Sequence, residues 1–95
     1  MNSPFKITVI GQGYVGLPLS LSFAMHGASV IGVDSNEAIA ADLKCGRTTQ
    51  TEKVGNKTIT EILREESAHG SYRVTTDGAA TIRESNAVIL TVGLP

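Results

Sequence analysis

Apolar positions along the chain fall into short solid runs that alternate with stretches of helical spacing. Phe5 to Ile10 and Ala28 to Val33 are runs of strand length, rich in β-branched residues, and Ala87 to Val92 is nearly all apolar. Such runs mark strands covered on both faces of a parallel sheet. Tyr72 to Thr75 reads as a further, shorter strand. Between the first two runs, Tyr14 to His26 is helical, with Val15, Leu19, Phe23 and Ala24 at the spacing of one face. Pro18 falls in or just past its first turn and predicts a late or distorted start rather than a break. Gly27 closes the helix as a C′ residue, with His26 placed to favour the negative end of the dipole when protonated.

After the second run, Asp34-Ser35-Asn36-Glu37 supplies cap chemistry for a helix through Ala38, Ile39, Ala41 and Leu43 to Lys44, and Gly46 stops it. Arg47 to Lys57 is a polar segment. Thr58-Ile59-Thr60-Glu61 is a capping box opening a helix with an Ile59, Ile62, Leu63 stripe. Asp77 or Thr76 caps a small helix through Ala79, Ala80 and Ile82. Strand and helix alternate throughout. The expectation is an α/β fold, a Rossmann-like doubly wound parallel sheet that is partial, with four strands in spatial order 3-2-1-4.

The first strand breaks into Gly11-Gln12-Gly13-Tyr14-Val15-Gly16 and then opens the helix. Gly11 permits the turn out of the strand, Gly13 admits a pyrophosphate close to the backbone, and Gly16 lets the helix pack closely. The helix start offers unpaired N–H groups and a positive dipole end to that anion. The second strand ends in Asp34, where an acid can accept from both ribose hydroxyls; with a strand before and a helix after, this combination is far more specific than three glycines alone. A purely structural turn, with Asp34 only capping the following helix, is the competing reading. Facing a ribose, Asp34 would oppose a 2′-phosphate by up to about 4 kcal/mol at roughly 4 Å and an effective dielectric near 20, which selects NAD over NADP. No basic residue at Ser35 or Asn36 offsets it.

Composition narrows the classes further. At 95 residues, 41% apolar and 18% charged, the chain is a single small domain, 1–95, with a thin core. A net charge of −1 and the lack of a basic run with interleaved aromatics give no reason to expect nucleic acid or an anionic membrane as partner. No apolar stretch approaches a membrane span or a signal-peptide core, so a cytoplasmic location is expected. The single Cys45 is placed on the last turn of a helix, a poor setting for a reactive thiol, and reads as a partly buried small residue. His26 and His69 lack partners at metal or triad spacing, and no metal site is expected.

Lys6 to Leu19 with its Gly-Gln-Gly-Tyr-Val-Gly-Leu-Pro-Leu core, His26-Gly27 and Val30-Ile31-Gly32-Val33-Asp34 closely resemble the amino-terminal segment of the UDP-glucose/UDP-N-acetylmannosamine dehydrogenase family. Thr75-Thr76-Asp77 and Ala87 to Leu90 are similar to the same family further on. The resemblance implies the NAD-binding part of a longer enzyme with central and UDP-binding domains. That enzyme oxidises the sugar C6 alcohol to a carboxylate in polysaccharide precursor synthesis, through a downstream cysteine and lysine. The chain alone is then expected to bind NAD through Gly11, Gln12, Gly13, Tyr14, Val15, Gly16, Asp34, Ser35, Val92 and Gly93, and to be inactive, with no catalytic residue of its own. A UDP-sugar would be a partner only of the full-length parent.

Three departures from the family pattern stand out. Glu52-Lys53-Val54-Gly55 replaces a Glu-Pro-Gly stretch, Ile39 stands where members often carry a basic residue toward the adenosine, and Leu94 replaces a threonine after the last strand. A β-hydroxyacid or 6-phosphogluconate-type dehydrogenase, or a non-catalytic nucleotide-sensing module, shares the strand, turn and acid. With no fifth strand in the chain, Val88 to Val92 would form an apolar edge, and self-association through it is expected.

Overall fold

The computed structural model describes residues 4–91, so Val92, Gly93 and Leu94 lie outside the described residues. In chain order the elements are β1 (Lys6–Ile10), α1 (Gly16–Met25), β2 (Ser29–Val33), α2 (Glu37–Lys44), β3 (Lys53–Val54), β4 (Lys57–Thr58), α3 (Ile59–His69), β5 (Tyr72–Thr75), α4 (Ala79–Glu84) and β6 (Ala87–Leu90). The main sheet is parallel with order β5-β2-β1-β6. Counting only its own strands, this is the expected 3-2-1-4 order. Ile7 aligns with Val30 on one side and Ala87 on the other, and Val30 aligns with Tyr72.

One sheet face carries the core. Ile7, Val9, Val30, Tyr72 and Val74 cluster with Leu17, Leu21 and Ala24 of α1, Ala40 and Leu43 of α2, and Ile59, Ile62 and Leu63 of α3. The buried face of α1 is Leu17, Ser20, Leu21 and Ala24; of the Val15, Leu19, Phe23 and Ala24 set expected from spacing, Ala24 is buried and Phe23 packs partly buried against the core. Val15 lies before the helix and is 67% exposed. The helix is apolar on nearly every side, so its periodicity carries little information. Its start at Gly16, two residues past Tyr14, puts Pro18 within the first turn, where Leu17 and Leu19 donate to the Gly13 and Val15 carbonyls and only the one bond between them, to Tyr14, is forgone.

The opposite face is thinner. Thr8 points there, meeting the Thr81 carbonyl of α4 and the hydroxyl of Ser85 just past its end. By register Val88 and Leu90 share that side, and they are 41% and 70% exposed, so β6 is not covered on both faces as its composition suggested. α4 buries no residue fully.

The end of the polar segment 47–57, with Thr58, holds two short strands that the sequence pattern did not disclose. β3 and β4 form a small antiparallel hairpin turning at Gly55, whose φ is 65°. Elsewhere the caps follow expectation. Asn36 Oδ1 accepts from the Ala38 and Ile39 N–H groups, Thr58 and Glu61 form a reciprocal box, and Gly27 has φ 96°. At α4, Asp77 rather than Thr76 supplies the acceptor, to the Ala79 N–H at 3.1 Å, while Gly78 occupies the cap position. Cys45 is exposed at the end of α2 instead of partly buried, because the last turn directs Leu43, not Cys45, inward. No helix among the described residues is long and apolar enough to cross a membrane.

Candidate functional site

The C-terminal ends of β1 and β2 lie side by side, where a doubly wound sheet opens its crevice. The chain leaves β1 through Gly11, whose φ of 95° and N–H bond to the Val33 carbonyl at 2.7 Å define a sharp turn against the neighbouring strand. Thr91, at the exit of β6, locks it from the other side. Its main-chain N–H donates to the Ile10 carbonyl at 2.8 Å, and its Oγ1 lies 2.9 Å from both the Ile10 and Gly11 carbonyl oxygens. Thr91 was not singled out from sequence; its only signal is a hydroxyl placed where an otherwise apolar strand ends.

The glycines divide by function. A Cβ on Gly16 would lie 1.7 Å from the Gly11 carbonyl oxygen and 2.7 Å from Thr91 Oγ1, so the helix start is pressed against the turn. A Cβ on Gly13 meets nothing within 4 Å among the described residues. That open space is a cradle the side chain of any other residue would begin to fill. Beside it α1 starts without a side-chain cap and without an acid in its first turn. Among the described residues no acceptor meets the Tyr14 or Val15 N–H, and both residues are exposed. The pair of bare donors and the dipole together favour an anion at this point.

Asp34 faces the same mouth. Its Oδ2 accepts the Gln12 N–H at 3.0 Å and its Oδ1 the Asn36 N–H at 3.0 Å, so its carboxylate is fixed between the glycine turn and the start of α2. Capping of α2 is the work of Asn36, which leaves the remaining lone pairs of Asp34 for other donors. Ser35 is exposed between them, and Ile39 is 37% exposed on the first turn of α2.

Gln12 differs from its expected role. Its side chain is 2% exposed and turned into the core, and its N–H is occupied by Asp34, so it offers the mouth no free donor. Tyr72 Oη donates to Gln12 Oε1 at 2.7 Å. Burial, with the Asp34 charge second, pushes the Tyr72 phenol well above its ordinary pKa and keeps it a donor. From the 47–52 connection, Gln50 Nε2 donates to the Gly13 carbonyl at 2.9 Å, while its buried Oε1 has no partner among the described residues. A cleft of about 220 Å³ opens between Gly13, Tyr14, α2 and this connection.

Comparison with known proteins gives a consistent result. The model of the UDP-glucose/GDP-mannose dehydrogenase family, NAD binding domain, matches residues 5–95. The UDP-N-acetyl-D-glucosamine 6-dehydrogenase of Salmonella typhi is 38% identical over 90 residues, covering 95% of this chain and 19% of the relative. The UDP-glucose 6-dehydrogenase of Rhizobium meliloti is 33% identical over 90 residues, covering 95% and 20%. A solved UDP-glucose dehydrogenase from the hyperthermophilic archaeon Pyrobaculum islandicum superposes with a TM-score of 0.83 at 27% identity, over 98% of this chain and 21% of that one. The chain spans about a fifth of the length of these relatives.

Proposed function

The chain belongs to the UDP-glucose/GDP-mannose dehydrogenase family, whose NAD-binding domain it matches, and from that premise we propose how its residues hold the cofactor. The Tyr14 and Val15 N–H groups receive the pyrophosphate over the open space at Gly13. Asp34 accepts from the adenosine ribose hydroxyls and disfavours a 2′-phosphate. Gly11 and Gly16 shape the turn, and the exposed Ser35 borders the ribose; Val92 and Gly93, expected from sequence among the cofactor contacts, lie outside the described residues. Bound NAD supplies the hydride acceptor for oxidation of an alcohol.

In a protein of the relatives' length, the substrate is a nucleotide sugar of the UDP-glucose or UDP-N-acetylmannosamine type. Its C6 alcohol is oxidised to the carboxylate for polysaccharide precursors, in the cytoplasm. The nucleophile and the sugar contacts belong to segments outside this chain, which alone binds NAD and oxidises nothing. The observation that carries this reading is the conjunction of an empty Gly13 space, two bare N–H groups and a fixed carboxylate at one mouth.

NAD titration followed through amide chemical shifts tests it. Residues 11–16 and Asp34 are expected to shift together, and a titration that leaves them unmoved refutes it. The same chain is proposed to self-associate through β6, whose outer edge has no strand partner among the described residues and whose Val88 and Leu90 are exposed. Sedimentation that remains monomeric at high concentration argues against that association.

A further inference from the structure

Beneath the glycine turn lies a buried polar cluster that cofactor contact does not explain. Gln12 Nε2 lies 3.0 Å from the Val9 carbonyl oxygen, 3.0 Å from that of Gly11 and 3.2 Å from Ser20 Oγ, so its two hydrogens are shared among three acceptors. Gln12 Oε1 accepts from Tyr72 Oη, and Ser20 Oγ donates to the Gly16 carbonyl at 2.7 Å. Four elements meet here: the end of β1, α1, β2 and β5. β2 makes room with Gly32, where a Cβ would fall 2.5 Å from Gln12 Cδ and 2.8 Å from Tyr72 Oη. A glycine inside a strand lowers its stability and marks a close approach, here by the Gln12 amide.

An apolar side chain could fill this space without needing partners. What the amide does instead is grip the turn's own backbone. The Gly11–Gln12 peptide is one planar unit. Its carbonyl is held by Gln12 Nε2 and by Thr91 Oγ1, and its N–H is held by Asp34 Oδ2. The tilt of this single plane therefore couples the buried cluster to the Asp34 carboxylate and to the direction in which the chain continues toward the Tyr14 and Val15 donors. A fully satisfied buried network of this kind rigidifies what it touches.

We propose that Gln12, keyed by the Tyr72 hydroxyl, is a positioning residue that sets the Gly11–Gln12 peptide plane for the dinucleotide, acting entirely from beneath and without touching it. The inference rests on the NAD-binding reading above. It gives the unexpected burial of Gln12 a role in the same site, and it extends that site to a tyrosine on the edge strand β5.

Tyr72→Phe keeps the ring and removes only the hydroxyl, leaving Gln12 Oε1 buried and unpaired. It is expected to weaken NAD by about fivefold to tenfold, the consequence of a network loosened at one end. In the cofactor-free chain it should also speed hydrogen exchange at the Gln12 main-chain N–H. Gln12→Met, of similar length, should weaken NAD at least as much, and the double variant no more than Gln12→Met alone, because both act through one contact. Ile62→Val, a core change away from the turn, lowers the melting temperature but should leave NAD affinity unaltered.

All titrations are made where each variant is folded, so that global stability does not enter. Tyr72→Phe binding NAD as tightly as the wild type, or exchanging its Gln12 N–H at the wild-type rate, overturns the positioning role. So does a fully additive double variant. A wild-type chain that binds no NAD overturns the cofactor reading itself, and the positioning role with it.

Discussion

Gly13 and Gly16 stand three residues apart in the same turn, yet adding one methyl to each should have opposite consequences. At Gly16 the new Cβ lies 1.7 Å from the Gly11 carbonyl oxygen, a main-chain atom that no rotamer change can move aside. Restoring ordinary contact requires the start of α1 to retreat by roughly 1.5 Å, against the close packing of protein interiors. That retreat also disturbs the Thr91 hydroxyl on the Gly11 carbonyl. Overpacking of this kind costs about 1–3 kcal/mol, with about 1 kcal/mol more for the hydrogen bond. A total near 3 kcal/mol is a large share of the roughly 5–14 kcal/mol expected of a domain this size. The urea midpoint of Gly16→Ala should fall by roughly 2 M with unchanged slope.

At Gly13 the methyl meets nothing among the described residues, and its φ lies outside the left-handed region. Gly13→Ala should therefore leave stability unchanged or raise it by about 0.4–1 kcal/mol, through a less flexible unfolded state. The proposed cradle puts the pyrophosphate in this open space, so the same methyl should push the anion off the Tyr14 and Val15 donors. Losing one hydrogen bond to a charged group costs about 1.5–3 kcal/mol, or roughly tenfold to 150-fold in NAD affinity. Paired urea unfolding and calorimetric NAD titration separate the two effects. If Gly13→Ala binds NAD like the wild type, or proves as unstable as Gly16→Ala, the assignment of this space to the phosphates is wrong.

Three further outcomes are expected. Wild-type chain should prefer NAD to NADP by about a hundredfold or more, from the Asp34 charge facing a 2′-phosphate, and Asp34→Asn should cut that ratio to about tenfold or less when both are titrated side by side. Tyr72 has a folded-state pKa raised by burial, so above about pH 10 the unfolded chain releases a proton that the folded chain keeps. Its contribution is intact below the unfolded pKa and falls by about 1.4 kcal/mol per pH unit beyond it; Tyr72→Phe should lack this share of the alkaline decline in urea unfolding at successive pH values. Thr58→Ala removes the acceptor of the Glu61 N–H at the start of α3 and should cost about 1 kcal/mol, seen as a melting temperature about 4–8 °C lower with NAD affinity unaltered.

How far the chain could be read in advance follows from how local each signal is. A cap within Asp34 to Glu37, the Thr58 box and the turns at Gly11 and Gly27 depend on short stretches of residues and appear where the pattern put them, and the alternation of strand and helix with right-handed crossovers gave the strand order. The β3–β4 hairpin carried a weaker form of the same signal. Gly55-Asn56 is a hairpin pair, but two residues of strand on either side are too few to show alternation. The exposure of Val88 and Leu90 had no local signal at all, since it depends on what covers the α4 face of the sheet.

Gln12 shows the deeper limit. Read along the chain, the residue between two glycines of a phosphate turn belongs at the ligand's mouth, and nothing adjacent to it says otherwise. Its true environment is set by Ser20, Gly32 and Tyr72, which are 8, 20 and 60 positions away in sequence. Each of these is ambiguous alone: a helix serine, a strand glycine and a tyrosine in an apolar strand. Together they have one reading, because a buried phenol needs an acceptor, a buried amide needs donors and acceptors on both ends, and both need a strand position without a Cβ. A glycine-rich turn can be recognised from its spacing. Which way its intervening side chain points is decided by whether the core beneath offers that side chain a complete set of partners.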